Sequence, residues 1–208
     1  LFFKFFGAKI FFFFHKGLLN FYIFAEKSFM RTIQLNDKVF EPYLSAEKIA
    51  ETVRKMAYRV ASDHQNCTPV FVVVLSGSFL FAADFVRLFP NDCEIDFIRL
   101  SSYQSTCSTG EVKELSGLRL DISNRHIVVL EDIVDTGLTL EKIISLLSVH
   151  NPASLKIASL LFKPDAYKST HVIDYVGIEI PDKFVVGYGL DYDGLGRNLP
   201  DIYQIVKS

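Results

Sequence analysis

The chain has 208 residues, half of them hydrophobic and 22% charged, which excludes a wholly disordered protein and gives one domain enough chain for its own core. The net charge of −2 argues against a broadly basic nucleic-acid-binding surface. Cys67, Cys93 and Cys107 are odd in number and none forms a CxxC pair, and the histidines at 15, 64, 126, 150 and 171 have no ligand spacing. A disulfide framework and a zinc ribbon are therefore poorly supported, and a reducing cytoplasm fits best.

Composition breaks near residue 30. Residues 1–29 hold eleven of the 20 Phe and carry four Lys against one Glu, so with −2 overall the remaining 179 residues carry −5. A membrane-spanning helix needs about 20 apolar residues in a row. The longest stretch here without a charged residue or histidine is Gly17–Ala25, nine residues that include Asn20. A secretory signal fits poorly as well. The expectation is that Met30 is the natural start, with residues 1–29 a non-native or disordered extension and 30–208 the functional domain, free of membrane segments. A basic, aromatic membrane-surface segment is the alternative reading of 1–29.

Ser45 reads as the N-cap of a helix reaching about Ser62, with Ile49, Val53, Met56, Ala57 and Val60 on one face. Val70–Leu75 is a buried strand by its β-branched run, and Phe79–Phe89 is a helix. Glu94–Leu100 alternates as a strand, and the polar stretch 101–117 reads as one long mobile loop. Strand Ile127–Leu130, helix Leu138–Val149 and strand Leu155–Phe162 follow, then short strands at Tyr175–Ile180 and Phe184–Val186. This alternation predicts an α/β domain, a parallel sheet with helices on both faces. Ligands bind such sheets at the carboxyl ends of the strands, so the residues just after each apolar run are the informative ones.

The most informative run is Ile127-Val-Val-Leu-Glu-Asp-Ile-Val-Asp-Thr-Gly-Leu-Thr139. Two acids, Glu131 and Asp132, are expected at the end of a four-residue strand. The turn Asp135-Thr136-Gly137-Leu138-Thr139 then opens a helix with the chemistry of a phosphate cradle: free backbone N–H groups, a glycine, two hydroxyls and a helix N-terminus. It lacks the lysine of a Walker A loop, which argues against triphosphate hydrolysis. Paired carboxylates beside a phosphate make sense if they accept from sugar hydroxyls or help hold a magnesium complex.

This run resembles the phosphoribosyl-pyrophosphate signature of the type I phosphoribosyltransferases. Lys163-Pro164 and the stretch Val176–Leu199, with DKFVVGYGLDY and a following Gly-Arg, narrow the likeness to the bacterial hypoxanthine (hypoxanthine-guanine) enzymes over about Thr32 to Val206. The resemblance implies a central parallel sheet flanked by helices, with a small hood built from the chain termini. It implies magnesium-dependent transfer from phosphoribosyl pyrophosphate to a 6-oxopurine, in a cytoplasmic homodimer or homotetramer with no nucleic-acid partner.

By the same resemblance, Lys163 donates to the purine O6, Phe184 stacks on the base, and the Val185 backbone reads its edge. Asp191 lies near the base and joins Glu131 and Asp132 around magnesium, while Arg197 holds pyrophosphate. Ser76 and Gly77 form a pyrophosphate loop that usually carries a cis peptide. Ser76 stands where many members have Lys or Arg, which leaves the loop its backbone contacts only. Ser102 and Tyr103 would close over the reacting centre. The 5′-phosphate would rest on residues 135–139, and Asp135 is the general base near purine N7. Two other readings stay open. One is a regulator sensing the same ligand, for which the chain has no spare domain. The other is an enzyme of this fold with another acceptor, such as adenine, xanthine or a pyrimidine.

Overall fold

The computed structural model describes the backbone of residues 4–5, 8–15, 18–24, 31–100 and 114–206, and the side chains of 31–100 and 117–206. The chain divides into two compact units, Leu1–Arg31 and Thr32–Ser208. In the first, β1 (Lys4–Phe5), β2 (Ala8–His15) and β3 (Leu18–Phe24) form an antiparallel sheet in that order.

The second unit begins with β4 (Ile33–Leu35), β5 (Lys38–Leu44) and α1 (Ala46–Asp63). The Ser45 side chain caps α1 by accepting from the Lys48 amide at 3.3 Å, as the sequence predicts. Then come β6 (Val70–Leu75), α2 (Phe79–Leu88), β7 (Glu94–Leu100), β8 (Glu114–Ser116), β9 (His126–Val134) and α3 (Leu138–Ser148). The last elements are β10 (Ser154–Phe162), β11 (Tyr175–Glu179), β12 (Val185–Val186) and β13 (Ile202–Ile205).

The main sheet runs β11-β10-β9-β6-β7-β8, and its first five strands are parallel. Strand side chains alternate between faces, and the core divides accordingly. Phe71, Val73, Val128 and Leu130 pack with α1 and α2 on one face. Val70, Val72, Ile127 and Val129 pack with Leu140, Ile143 and Leu147 of α3 on the other. Covering both faces is why the central strands read as continuous apolar runs.

Two sequence expectations need correction, and the expected hood gains strands that local sequence did not show. The strand predicted to stop at Leu130 continues as β9 to Val134, so Glu131 and Asp132 lie within the strand. Pairing with β10 through Phe162 keeps this stretch extended although two charges interrupt its apolar pattern. The stretch expected to be all loop contains β8, which pairs antiparallel with β7 at the sheet edge. A second sheet, β12-β13-β5-β4, forms the hood from both ends of this unit, around buried Phe40, Val186 and Tyr203. Its strands β4, β5 and β13 are absent from the sequence reading. Pro42 weakens the signal of β5; it lies beyond the short span of β4, where its missing N–H leaves no ladder bond unmade. Asp201 then ties hood to body, accepting from the Ala46 amide at 2.7 Å.

Candidate active site

The carboxyl ends of β6, β9 and β10 meet the hood around two adjoining cavities. One, of about 270 Å³, is lined by Glu131 through Gly137 with Thr139 and Leu140. The other, of about 280 Å³, is lined by Gly77, Asp132, Ile133, Asp135, Lys163, Phe184, Val185, Leu190, Asp191 and Arg197. Asp132, Ile133 and Asp135 belong to both.

In the first cavity, Gly137 caps α3 with φ of 89° and turns the chain from β9 into the helix. The N-terminus of a helix leaves amides free to meet an anion. Thr136 Oγ1 accepts from the Leu138 amide at 3.5 Å, the outer limit of a hydrogen bond. The Leu138 side chain is 64% exposed and does not line the cavity, so only its backbone can serve a ligand there.

Glu131 is buried, and its Oε2 accepts from the Ser78 hydroxyl at 3.4 Å. The same hydroxyl accepts from the Asp132 amide at 3.0 Å. Fully buried Ser78, just past the predicted pyrophosphate loop, therefore holds both acids of the central motif. Burial raises the Glu131 carboxyl well above its ordinary range, and the Asp132 charge raises it further against the opposing Ser78 bond. Asp132 is pushed up to about 6, chiefly by burial, with Asp191 adding to the rise. The Ile133 amide and Arg197 pull the other way.

The Leu75–Ser76 peptide is cis, as expected for this loop. Gly77 lies so close to Asp132 that a Cβ there would overlap its carboxylate. Gly189, with φ of 100°, in turn lies against the Gly77 carbonyl oxygen. Tyr188 secures that hood turn by donating to Asp84 of α2 at 2.7 Å, and burial together with the Asp84 charge holds its phenol well above the ordinary value.

In the second cavity, Arg197 donates to the Gly189 carbonyl at 2.6 Å and pairs with Asp191 at 2.7 Å. Phe184 is 46% exposed, its ring set against Phe40 and Tyr192 at centroid distances of 6.3 and 5.9 Å, so an apolar ring face remains open to a ligand. Lys163 is 6% exposed and pairs with Asp135 at 2.8 Å and Asp182 at 3.1 Å. Burial works against its charge, but the two carboxylates outweigh it and hold the ammonium above its ordinary pKa.

The structure thus brings Gly77, Glu131, Asp132, Asp135–Gly137, Thr139, Lys163, Phe184, Val185, Asp191 and Arg197 around the two cavities. Ser76 does not line either one. Ser102 and Tyr103 lie outside the described residues. The sequence reading missed Ser78, Asp84, Asp182 and Tyr188. Their partners lie 53, 104 and 19 residues away, too far for any local spacing to reveal them.

Among the described residues, no group of three or more His, Cys, Asp or Glu side chains is arranged to hold a metal unaided. Glu131, Asp132 and Asp191 therefore do not form a cage. Magnesium, however, commonly binds through one or two carboxylates plus substrate phosphates. Asp132 and Asp191, hard oxygen donors on one cavity, fit that donor set.

The family model described as "Phosphoribosyl transferase domain" matches residues 41–193. The chain is 41% identical over 160 residues to a hypoxanthine-guanine phosphoribosyltransferase of Bacillus subtilis, covering 76% of this chain and 89% of that one. It is 39% identical over 166 residues to a hypoxanthine phosphoribosyltransferase of Buchnera aphidicola, covering 78% and 94%. A crystal structure of a Bacillus anthracis hypoxanthine-guanine phosphoribosyltransferase superposes with a TM-score of 0.75 at 41% identity, covering 80% of this chain and 98% of that one.

Proposed function

The chain belongs to the hypoxanthine-guanine phosphoribosyltransferases of the phosphoribosyl transferase family, and from that premise we propose how its two adjoining cavities share one reaction. The reaction is purine salvage: the 5-phosphoribosyl group passes from phosphoribosyl pyrophosphate to N9 of hypoxanthine or guanine, giving IMP or GMP and pyrophosphate. The observation that carries the division is that Asp132, Ile133 and Asp135 line both cavities. A sugar seated across that shared wall has its C1′ beside Asp135.

The 5′-phosphate rests on the amides of 135–139 at the start of α3. The ribose hydroxyls meet the Glu131 and Asp132 carboxylates. Pyrophosphate lies along the Ser76–Gly77 backbone toward Arg197, whose guanidinium suits bidentate contact with phosphate oxygens. Magnesium arriving with the substrate would be held by Asp132 and Asp191, with Glu131 behind them, and would offset charge on the leaving group. The purine stacks on Phe184, presents O6 to Lys163 and lays its edge along the Val185 backbone.

The C1′–oxygen bond to pyrophosphate breaks with oxocarbenium character, and N9 attacks from the opposite face. Asp135 takes the proton that the base sheds, and Arg197 stabilises the departing pyrophosphate. By the family resemblance, Ser102 and Tyr103 would serve to exclude water, which would otherwise capture the sugar.

The proposed setting is a reducing cytoplasm. Cys67 and Cys93 are free thiols, and no described helix is long and apolar enough to cross a membrane. The working form is a homodimer or homotetramer.

A base panel tests the reading. With phosphoribosyl pyrophosphate and magnesium, the protein is expected to convert hypoxanthine or guanine to nucleotide and to leave adenine and uracil unreacted, followed by chromatography. A folded protein that binds phosphoribosyl pyrophosphate but converts no base would replace catalysis with ligand sensing.

A further inference from the structure

The Lys163 ammonium has more structure around it than base recognition alone requires. An ammonium has three N–H donors and no acceptor. Two are committed, one to Asp135 Oδ2 at 2.8 Å and one to Asp182 Oδ1 at 3.1 Å. The two carboxylates come from different elements: Asp135 follows β9, and Asp182 follows β11 through Ile180-Pro181. Lys163 itself is held at its backbone, its amide donating to the Val134 carbonyl at 3.0 Å. Asp135, Lys163 and Phe184 line the second cavity, whereas Asp182 does not. Asp182 therefore grips the ammonium from outside the space a base would fill.

We propose that Asp182 is a specificity-determining positioning residue, which pins the Lys163 ammonium so that its one uncommitted N–H is fixed toward the 6-position of the base. This inference rests on the reading of Lys163 as donor to the base oxygen. A lysine side chain has four rotatable bonds, and a single ion pair leaves it room to pivot. Two carboxylates on separate elements fix the nitrogen in place. A 6-oxo base then meets a donor already aimed at its oxygen. A 6-amino base meets a donor facing a donor, and the pinned ammonium cannot swing aside to relieve the conflict. Specificity of this kind comes from the repulsive element as much as from the attractive one. With Asp182 removed, Lys163 is drawn to Asp135 alone, and both effects weaken.

The test compares the whole chain with its Asp182→Ala and Asp182→Glu variants on three bases: hypoxanthine, adenine and purine unsubstituted at C6. For Asp182→Ala, kcat/KM on hypoxanthine is expected to fall about tenfold through the KM of the base, the scale of one hydrogen bond to a charged group. The KM of phosphoribosyl pyrophosphate and kcat/KM on unsubstituted purine stay within about twofold, and the preference for hypoxanthine over adenine falls at least about tenfold. Asp182→Glu restores most of the loss. Equal losses on hypoxanthine and unsubstituted purine would make Asp182 merely structural, and no loss on either would leave it without a role; both results overturn the inference. A wild-type protein that shows no preference for hypoxanthine over unsubstituted purine overturns the reading of Lys163 first, and Asp182 with it.

Discussion

Asp135 lies on the wall common to both cavities and is already paired with Lys163 at 2.8 Å. Exchange to Asn keeps an oxygen near the ammonium but removes the ability to take a proton. Asp135→Asn is therefore expected to lower turnover by about 10²–10⁴-fold, the usual worth of general-base help. Binding of phosphoribosyl pyrophosphate should stay within about threefold by isothermal titration, a suitable method because the chain has no Trp to report. Turnover within about twofold of wild type would remove Asp135 from that role. Asp132 makes a different prediction, because burial raises its carboxyl from 3.8 to about 6. Between those values the folded chain keeps a proton there that the unfolded chain has lost. The stability linked to that proton is complete below about pH 4 and is lost as pH rises through 6. Asp132→Asn removes the charge while leaving an oxygen for the Ile133 amide, which Asp132 now receives at 2.8 Å. At pH 8 the variant should be more stable than wild type by on the order of 3 kcal/mol, at about 1.4 kcal/mol per pKa unit, and the difference should vanish near pH 4. Urea titrations at the two pH values measure it; equal gains at both would assign the effect to something other than ionisation.

The elements meet through close backbone approaches that few side chains would permit. Gly77, between β6 and α2, touches the Asp132 carboxylate of β9 and is itself covered by Gly189 of the hood turn. Gly77→Ala must displace either Asp132 or the loop. It is expected to reduce kcat/KM for phosphoribosyl pyrophosphate by at least about 100-fold while the melting curve stays cooperative; a loss under about threefold would show that the approach has no functional consequence. Much of this framework is legible in sequence. The runs at 70–75 and 155–162 give strands because parallel strands covered on both faces become apolar nearly throughout, whereas 94–100 is legible from its alternation. The thirteen residues from Ile127 to Thr139 show the phosphate turn because strand, turn and helix start are contiguous. Less legible is whatever depends on pairing between distant segments. β13 is only four residues long and pairs with β5 across the fold, with Phe40 opposite Ile205. Ser78 and Asp182 look like any loop serine and acid until the fold sets them against Glu131 and Lys163.

At the scale of the molecule, the unit from Thr32 contains both cavities and both ends of the hood. Among the described residues, every buried side-chain nitrogen and oxygen has a hydrogen-bond partner. Buried polar groups left unpaired are among the largest single costs a fold can carry, so their absence marks a unit that completes its own interior. The residues matched by the phosphoribosyl transferase model, 41–193, also fall within it. These observations support the proposal that residues 1–29 are dispensable for the reaction. Their charge is +3 against −5 for the rest, and they hold eleven of the 20 Phe, so their removal also takes away more than half of the phenylalanine. A protein comprising Met30–Ser208 is expected to keep kcat and both KM values within about twofold and its melting temperature within a few degrees, and to be the more soluble of the two forms. Parallel kinetics and thermal melts on the two lengths decide the matter. A cooperative melt with activity lost by more than about tenfold would mean that the aromatic segment contributes to the site. A broad, early melt would mean instead that the unit does not complete its core without it.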